Sequence, residues 1–386
     1  MEYLGQLLLI AVAIGIGWLI CFIQGRVGQT ARAIRRGGEY PKSLQYLFEA
    51  YDAPTLDSFV QELEINQHTV QLHLSIANFF RRKGEIEKAT AIHQNLLSHP
   101  DARIKHGEQL TYELAQDYMF VGLYDRAEAL FIELAASRQW RKLSTECLLE
   151  IYEHEKEWGV ARERALTLDV KRDRDVQVRL AQYCCEMAER SMRRKEYSDA
   201  TRHLREALMY DKFCARASIQ VAQVCVATEQ YPEALAELKR IEQQNPMFLS
   251  EVVGLVKEIC EKLNERERLL KILQRMWELQ PSAKVMIALS GALNENENTE
   301  EAIEFLLGQL NAHPTLGGVK ALLVLLAPYA DPEPKRWIMI VKGVLETLLE
   351  KNHSYLCESC GFSGRHLHWQ CPSCKKWGVV KPLPWV

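Results

Sequence analysis

The residues best suited to chemistry are four cysteines near the end of the 386-residue chain. They form two Cys-x-x-Cys pairs, Cys357 with Cys360 and Cys371 with Cys374, separated by ten residues. Each pair can offer two thiolates to one ion from a single tight turn, and two such pairs complete a tetrahedral four-sulfur site. The sequence therefore predicts one metal ion held by all four cysteines, with a disulfide pair or free thiols as the alternative.

Two histidines between the pairs, His366 and His368, are alternative ligands, but four thiolates already fill a tetrahedral sphere. A filled sphere leaves no position for a bound water, so metal-assisted hydrolysis is not expected. A segment of about thirty residues cannot fold by apolar burial alone, so a metal would stabilise it by about 10 kcal/mol. We expect Phe362, Trp369 and Trp377 to pack around the site or against the last helix.

The turns CESCG and CPSCK resemble the metal-binding knuckles of rubredoxin, and this resemblance implies iron. The spacer is shorter than in free-standing rubredoxins, and Lys375 replaces the glycine usual after the second pair. Zinc satisfies the same geometry, so iron is the first expectation and zinc the alternative. Of the two roles open to such a site, we favour stabilisation of a small fold over electron transfer.

Composition places the chain among ordered proteins, because 47% of its residues are hydrophobic and 26% are charged. The net charge of -3 gives no basic field for nucleic acid, which is not expected as a partner. The remaining cysteines lie in helical patterns, the usual setting of buried thiols in a reducing compartment. They are Cys21, Cys147, Cys184, Cys185, Cys214, Cys225 and Cys260.

The first residues predict a membrane anchor. Residues 3–23 carry no charge and, at about 1.5 Å per residue, match a bilayer core about 30 Å thick. We assign residues 1–24 to a single transmembrane helix and residues 25–42 to a basic juxtamembrane linker, which places the bulk of the chain in the cytoplasm. The alternative, a cleaved signal peptide, lacks a basic start and a small-residue cleavage site.

The middle of the chain repeats a helical phrase with a period near 34 residues and resembles the tetratricopeptide repeat. Alanines at matching positions after each inter-helix turn let paired helices approach closely: Ala89, Ala127, Ala161, Ala200, Ala234 and Ala302, with Leu269 in a degenerate copy. Gly84 and Gly122 stand where the turns require a positive φ. Stacked repeats form an elongated solenoid, which is a protein-binding surface by default.

The predicted fold is all-α, with a transmembrane helix, a tetratricopeptide-repeat solenoid and a small rubredoxin-like knuckle domain. After the linker come a leading helical segment at 43–69, about seven repeats at 70–314, closing helices at 315–351 and the metal-binding domain at 352–386. The sequence contains no phosphate-binding loop, dinucleotide fingerprint, zinc-protease motif or nucleophile elbow. We therefore predict that the protein is not an enzyme.

Together these parts resemble the lipopolysaccharide assembly protein B family of Gram-negative bacteria. The matching stretches are GEIEKATAIHQ, DYMFVGLYDRAE and CGFSGRHLHWQCPSCKKW. The resemblance implies a single-pass inner-membrane protein with a periplasmic N-terminus. It also implies an adaptor that brings the lipid A-committing deacetylase to a membrane-embedded AAA+ zinc protease, and so restrains lipopolysaccharide synthesis.

Further implied partners are a transmembrane lipopolysaccharide sensor and components of lipopolysaccharide export. The family's iron or zinc ligands correspond to Cys357, Cys360, Cys371 and Cys374. The alternative function is a rubredoxin-type electron-transfer protein that uses the helical repeats as a docking surface.

Overall fold

The computed structural model describes residues 53–295, 298–350 and 352–385. The predicted anchor at 1–24 and linker at 25–42 lie outside these residues. In the part of the chain that is described, no helix is both long enough and apolar enough to cross a bilayer.

The chain divides into two compact units, Met1–Ser144 and Thr145–Val386, and each is described by itself. The helices of the first unit are α1 Ala53–Glu62, α2 Val70–Lys83, α3 Ile86–Ser98, α4 Pro100–Phe120 and α5 Tyr124–Ala135. Helix α6, Arg141–Glu155, begins at the end of this unit and lies mainly in the second.

The second unit continues the helical pattern and ends in three short strands. Its helices are α7 Trp158–Ala165, α8 Arg174–Arg193, α9 Tyr197–Tyr210, α10 Ala215–Ala227, α11 Tyr231–Lys239, α12 Ile241–Gln244, α13 Leu249–Leu263, α14 Arg266–Leu279, α15 Ala283–Glu295, α16 Thr299–Ala312, α17 Leu316–Leu326 and α18 Pro332–Leu349. Short 3-10 helices lie at Pro246–Phe248 and Ala327–Tyr329. The strands are β1 Tyr355–Cys357, β2 Ser363–Gly364 and β3 Val380–Pro382.

Within each unit, successive helices pack mainly on their neighbours, as in a tetratricopeptide array. Helix α2 packs on α3 and α4 on α5; in the second unit α8 packs on α9, α10 on α11, α13 on α14 and α15 on α16. The predicted small residues lie at these contacts, because the alanines named above have no exposed surface and Leu269 is 4% exposed. The tetratricopeptide-like helical fold is therefore confirmed.

The turns within the helical pairs share one geometry. Gly84 has φ +84° and Gly122 has φ +77°, as predicted, and each closes the preceding helix from a left-handed conformation. The same place in later turns is taken by residues with a side chain, also left-handed: Lys156, Lys195, Glu229 and Asn264. After each of these six residues, the N–H of the next residue donates to the carbonyl five positions before it, at 2.7–2.9 Å.

The expectation of an all-α chain is wrong for the C-terminal segment. Strand β1 pairs antiparallel with both β2 and β3, giving a three-stranded sheet in the order β2-β1-β3. Strands of two or three residues carry too little periodicity to be predicted from sequence. The described fold is therefore mostly helical, with one small sheet around the cysteine pairs.

Candidate metal centre and its seat on the repeat helices

The first cysteine pair lies in a turn that leaves strand β1. The Gly361 N–H donates to the Cys357 carbonyl at 3.0 Å, and the Cys357 N–H donates to the Phe362 carbonyl at 2.7 Å. Gly361 has φ +77°, as its place after the pair predicts. These bonds curl the backbone so that Cys357 and Cys360 direct their sulfurs to the same side.

The second pair repeats this arrangement with a different residue at the strained position. The Lys375 N–H donates to the Cys371 carbonyl at 2.9 Å, and the Cys371 N–H donates to the Lys376 carbonyl at 2.9 Å. Lys375 has φ +58°, so a lysine adopts the conformation that glycine adopts in the first turn. The departure from the rubredoxin pattern therefore changes the strain in the knuckle but not its shape.

The structure brings all four cysteines together. Their sulfurs lie within 4.8 Å of one another, with Cys357 and Cys374 at 3.8 Å and Cys360 and Cys371 at 3.6 Å. A metal–sulfur distance of about 2.3 Å sets the sulfurs of a tetrahedron about 3.8 Å apart. The donor set and its spacing therefore fit one thiolate-binding ion, either iron or zinc.

The four thiols lie in different environments. Cys357 and Cys371 are buried, Cys374 is half-buried and Cys360 is exposed. A hydrogen bond from the Phe362 backbone N–H lowers the pKa of Cys360 to about 6. Burial raises the pKa of Cys371 to about 11. The exposed edge of the site is thus the one that most readily presents a thiolate.

Among the described residues, the cluster of candidate ligands contains neither His366 nor His368. The His368 ring lies edge-on to Phe362, with centroids 6.0 Å apart, and Phe362 packs on the core around the cysteines. With four sulfurs converging, a bound ion would have a saturated sphere, which suits a structural or electron-transfer role rather than hydrolysis.

The metal-binding domain contacts the repeat helices through a buried carboxylate. This is Glu153 of α6, which is 7% exposed. From the domain, the Gln370 side-chain amide donates to Glu153 Oε2 at 2.7 Å, and the Trp377 indole N–H donates to Oε1 at 3.2 Å. From α8, Arg179 lies 3.5 Å from Oε1, and the Tyr183 hydroxyl also donates to Oε1. Burial, together with the Glu153 charge, raises the pKa of Tyr183. The helices thus supply partners for Oε1, whereas the hydrogen bond to Oε2 comes from the domain.

Aromatic contacts surround Glu153 and its hydrogen-bond partners. The Trp377 ring lies 5.8 Å from that of Trp158 on α7 and 6.1 Å from that of Tyr183, both edge-on. Trp369 stacks on Phe248 at 5.1 Å. The prediction for Phe362 is confirmed, but the two tryptophans pack on helices far upstream rather than on α18, because the domain lies against the middle of the array.

A second polar contact joins the sheet to the array. The Tyr355 hydroxyl donates to Glu251 Oε2 at 2.8 Å, and Lys284 Nζ donates to Glu251 Oε1 at 2.7 Å. Near the end of the chain, the Ala283 N–H donates to the Pro384 carbonyl at 2.7 Å, and Trp385 stacks on His313 at 4.1 Å. The domain therefore contacts residues from α6 to His313, which directly follows α16, and no motif in the sequence predicted this span.

The other described cysteine thiols and the buried charged groups lie among packed helices. The six described cysteines outside the pairs are buried and, within the described residues, none forms a disulfide, as predicted; Cys21 lies outside these residues. In the first unit, buried His93 and Asp117 pair at 2.5 Å, and Arg81 also contacts Asp117 at 3.0 Å. His93 and Asp117 are enclosed in the helix core, and Arg81 reaches Asp117 from a partly exposed position.

One cavity in the second unit has the chemistry of a docking surface. It lies between α11 and α14, with a volume of about 430 Å³. Its floor is apolar, and its basic side chains are Lys239, Arg268, Lys271 and Arg275. Arg268 pairs with Glu265 at 2.7 Å, and Arg275 pairs with Glu278 at 3.3 Å and lies 3.8 Å from Glu242, the one carboxylate in the lining. Lys239 and Lys271 remain to attract an apolar group that carries negative charge.

Fold and site together define a class: a helical-repeat protein that carries a rubredoxin-like four-cysteine domain. Residues 355–382 match the family described as "Rubredoxin metal binding domain", and residues 191–259 match the tetratricopeptide repeat. A solved tetratricopeptide repeat protein from Parabacteroides merdae is 13% identical and covers 67% of this chain and 99% of its own, with a TM-score of 0.33.

Two curated relatives match almost the whole chain, and both are named lipopolysaccharide assembly protein B. The protein from Escherichia coli is 29% identical over 378 residues, and that from Haemophilus influenzae is 27% identical over 385 residues. Each alignment covers 97% of this chain and 97% of the relative. The predicted resemblance is confirmed, and the chain is a homologue of these proteins.

Proposed function

We propose that this protein is a membrane-tethered adaptor of lipopolysaccharide assembly. It promotes proteolysis of the lipid A-committing deacetylase by a membrane-embedded AAA+ zinc protease. The observation that carries the proposal is the alignment with relatives named lipopolysaccharide assembly protein B over 97% of both chains. The helical array supports it, because stacked helical pairs present long surfaces suited to holding other proteins.

The proposed mechanism is confinement. The chain spans the bacterial inner membrane once through residues 1–24, with a periplasmic N-terminus and the array in the cytoplasm. A deacetylase bound to the array is then held in the plane of the membrane, where its effective concentration near the protease rises by orders of magnitude. A transmembrane lipopolysaccharide sensor and export components are the further proposed partners.

In this proposal the cysteine site is structural and holds iron, with zinc as the alternative. Bound to Cys357, Cys360, Cys371 and Cys374, the ion keeps the two knuckles folded. The folded domain in turn presents Trp377 and its neighbours to the helices. The ion stabilises the fold of the adaptor and takes no part in a reaction of a substrate.

We assign the basic cavity between α11 and α14 to an acidic, apolar segment of a protein partner. Charge complementarity supports this choice, since Lys239 and Lys271 border an apolar lining. A helix with apolar anchors and flanking carboxylates meets both requirements.

The test is the half-life of the deacetylase in cells that contain either the full chain or a chain lacking residues 1–24. We expect the shortened chain to fold, because the described cores contain none of these residues, and to leave the deacetylase long-lived. An anchored control, in which an unrelated single-span helix replaces residues 1–24, should restore rapid turnover. Equal half-lives with and without the anchor would contradict tethering.

One observation favours the second candidate, electron transfer. Cys360 is exposed, so one edge of the four-sulfur site meets solvent, as an electron-transfer centre requires. This function predicts that the iron-loaded chain is reduced and reoxidised reversibly, and that zinc, which has no redox chemistry, cannot replace iron in cells. If the zinc-loaded chain controls deacetylase turnover normally, electron transfer is excluded as the function.

A further inference from the structure

The last helix, α18, packs on the rest of the chain along one narrow side. Leu345 is its single buried residue, 8% exposed, and Ile338 and Leu349 are half-buried beside it. Lys320 of α17 pairs with Glu346 of α18 at 2.9 Å. Most of the surface of α18 therefore faces away from α17.

Much of this outward surface is apolar. Five side chains at intervals of three, four and seven residues form one stripe along the helix: Trp337 (59% exposed), Ile340 (48%), Val341 (47%), Val344 (56%) and Leu348 (44%). We call this the α18 stripe. Single exposed apolar residues are ordinary, but a contiguous stripe of five indicates a surface that another molecule covers.

The position of the stripe explains its chemistry. Inside a helical array, the outer face of one pair is covered by the next pair, so that face is apolar. A terminal pair normally has a polar outer face, because no repeat follows it. Helix α18 instead keeps the apolar surface of an internal repeat, and among the described residues no further helix follows to cover it.

We propose that the α18 stripe pairs with the same stripe of a second copy of this chain. The stripe complements itself across a two-fold axis: in an antiparallel pair with Val341 opposite Val344, Trp337 of one copy lies level with Leu348 of the other. With five side chains exposed by 44–59%, and whole aromatic side chains of about 150–250 Å², the stripe offers roughly 500 Å² per copy. The pair would bury about 1,000 Å², the lower end for a specific interface.

The charges of α18 favour a second copy over a lipid surface. Over residues 331–351, which are α18 and its flanking residues, Lys335, Arg336, Lys342 and Lys351 are balanced by Asp331, Glu333, Glu346 and Glu350, four positive charges against four negative. Helices that lie on anionic membranes carry an excess of Lys and Arg on the polar face, and the segment 331–351 carries no net excess. A second α18 supplies a helix of equal length that carries the same stripe.

The test uses the full chain in isolated membranes, treated with an amine-reactive crosslinker before solubilisation and resolved by denaturing electrophoresis. We expect a crosslinked dimer for the native chain. The double variant Val341→Glu/Val344→Glu should reduce the dimer by at least about tenfold, because pairing would bury four carboxylates without partners. The matched control is Met339→Glu, an exposed apolar side chain (53%) on the opposite face of α18, which should dimerise like the native chain.

Folding of each variant is checked by far-UV circular dichroism and by its resistance to trypsin, which should match the native chain because both valines are about half exposed. A native chain that stays monomeric overturns the proposal, as does equal dimer in the double variant. Flotation with phosphatidylglycerol vesicles tests membrane binding by the stripe, and it uses the chain lacking residues 1–24, because the proposed anchor would bind vesicles by itself. Vesicle binding that Val341→Glu/Val344→Glu abolishes, with no native dimer, would assign the stripe to the membrane instead.

Discussion

The Trp377 indole N–H lies 3.2 Å from Oε1 of Glu153, a carboxylate 224 positions earlier in the chain. One residue belongs to the cysteine domain and the other to the middle of the helical array. This bond, with those from Gln370 and Tyr183 to the same carboxylate, makes the metal-binding domain part of the core of the second unit rather than an appendage.

The first prediction concerns this carboxylate. Glu153→Ala leaves Arg179, Gln370 and Trp377 without their buried acceptor and should cost about 3–5 kcal/mol of docking free energy. The cysteine domain should then separate from the helices. Trypsin should release it faster, and tryptophan emission should shift to longer wavelength as Trp377 meets solvent. Glu163→Ala, at an exposed carboxylate on α7, is the control and should change neither signal.

The second prediction concerns the metal. The native chain should retain one iron or zinc ion per chain after dialysis, and Cys371→Ser should retain almost none, because three thiolates hold the ion too weakly. The C-terminal segment should become protease-sensitive while the helical content stays near native. Cys225→Ser removes a buried thiol outside the site and should leave metal content unchanged. A metal-free native chain with a protease-resistant C-terminus would contradict the structural role.

The third prediction follows from the shared turn geometry. Glu229 has φ +60° at the position that glycine occupies in the turns at Gly84 and Gly122, so Glu229→Gly should stabilise the second unit by about 1 kcal/mol. The midpoint of urea unfolding measures this change in stability. Glu233→Gly is the matched control, because the same change inside α11 should destabilise by about 1 kcal/mol. A lower midpoint for Glu229→Gly would show that its side chain, not its backbone conformation, matters.

The fourth prediction concerns the same strain beside the metal site. Lys375 has φ +58° where the first knuckle has Gly361, so Lys375→Gly should relieve about 1 kcal/mol of strain and slow loss of the ion to a chelator. Gly361→Lys places the same side chain in the other knuckle and should accelerate loss. Identical release rates for the two variants would mean that the left-handed conformation does not limit metal retention.

The fifth prediction concerns the basic cavity. Lys239→Glu/Lys271→Glu should weaken capture of the acidic partner and lengthen the deacetylase half-life, without altering the unfolding midpoint, since both side chains are exposed. Lys156→Glu/Lys195→Glu, at two exposed turns elsewhere, is the charge-matched control. Normal turnover in the cavity variant would assign the cavity no part in partner binding.

The sequence alone determined everything that depends on local spacing. Two residues between paired cysteines define a chelating turn wherever it lies in the fold, and so the knuckles and their convergence were predictable. The period near 34 likewise predicted the helical pairs, and Gly84, Gly122 and Gly361 were placed correctly because a positive φ is a property of one residue.

Only the tertiary structure decided where those parts meet. Nothing near Glu153 marks it as the acceptor for Trp377, because a contact across 224 residues depends on how the intervening helices stack. The exposure of the α18 stripe could not be predicted from the sequence for the same reason. Apolar residues at helical spacing predict a buried face, and whether that face is buried depends on whether another element packs on it. Burial is a property of the packed chain. A pattern of residues indicates only which surfaces are apolar enough to be buried.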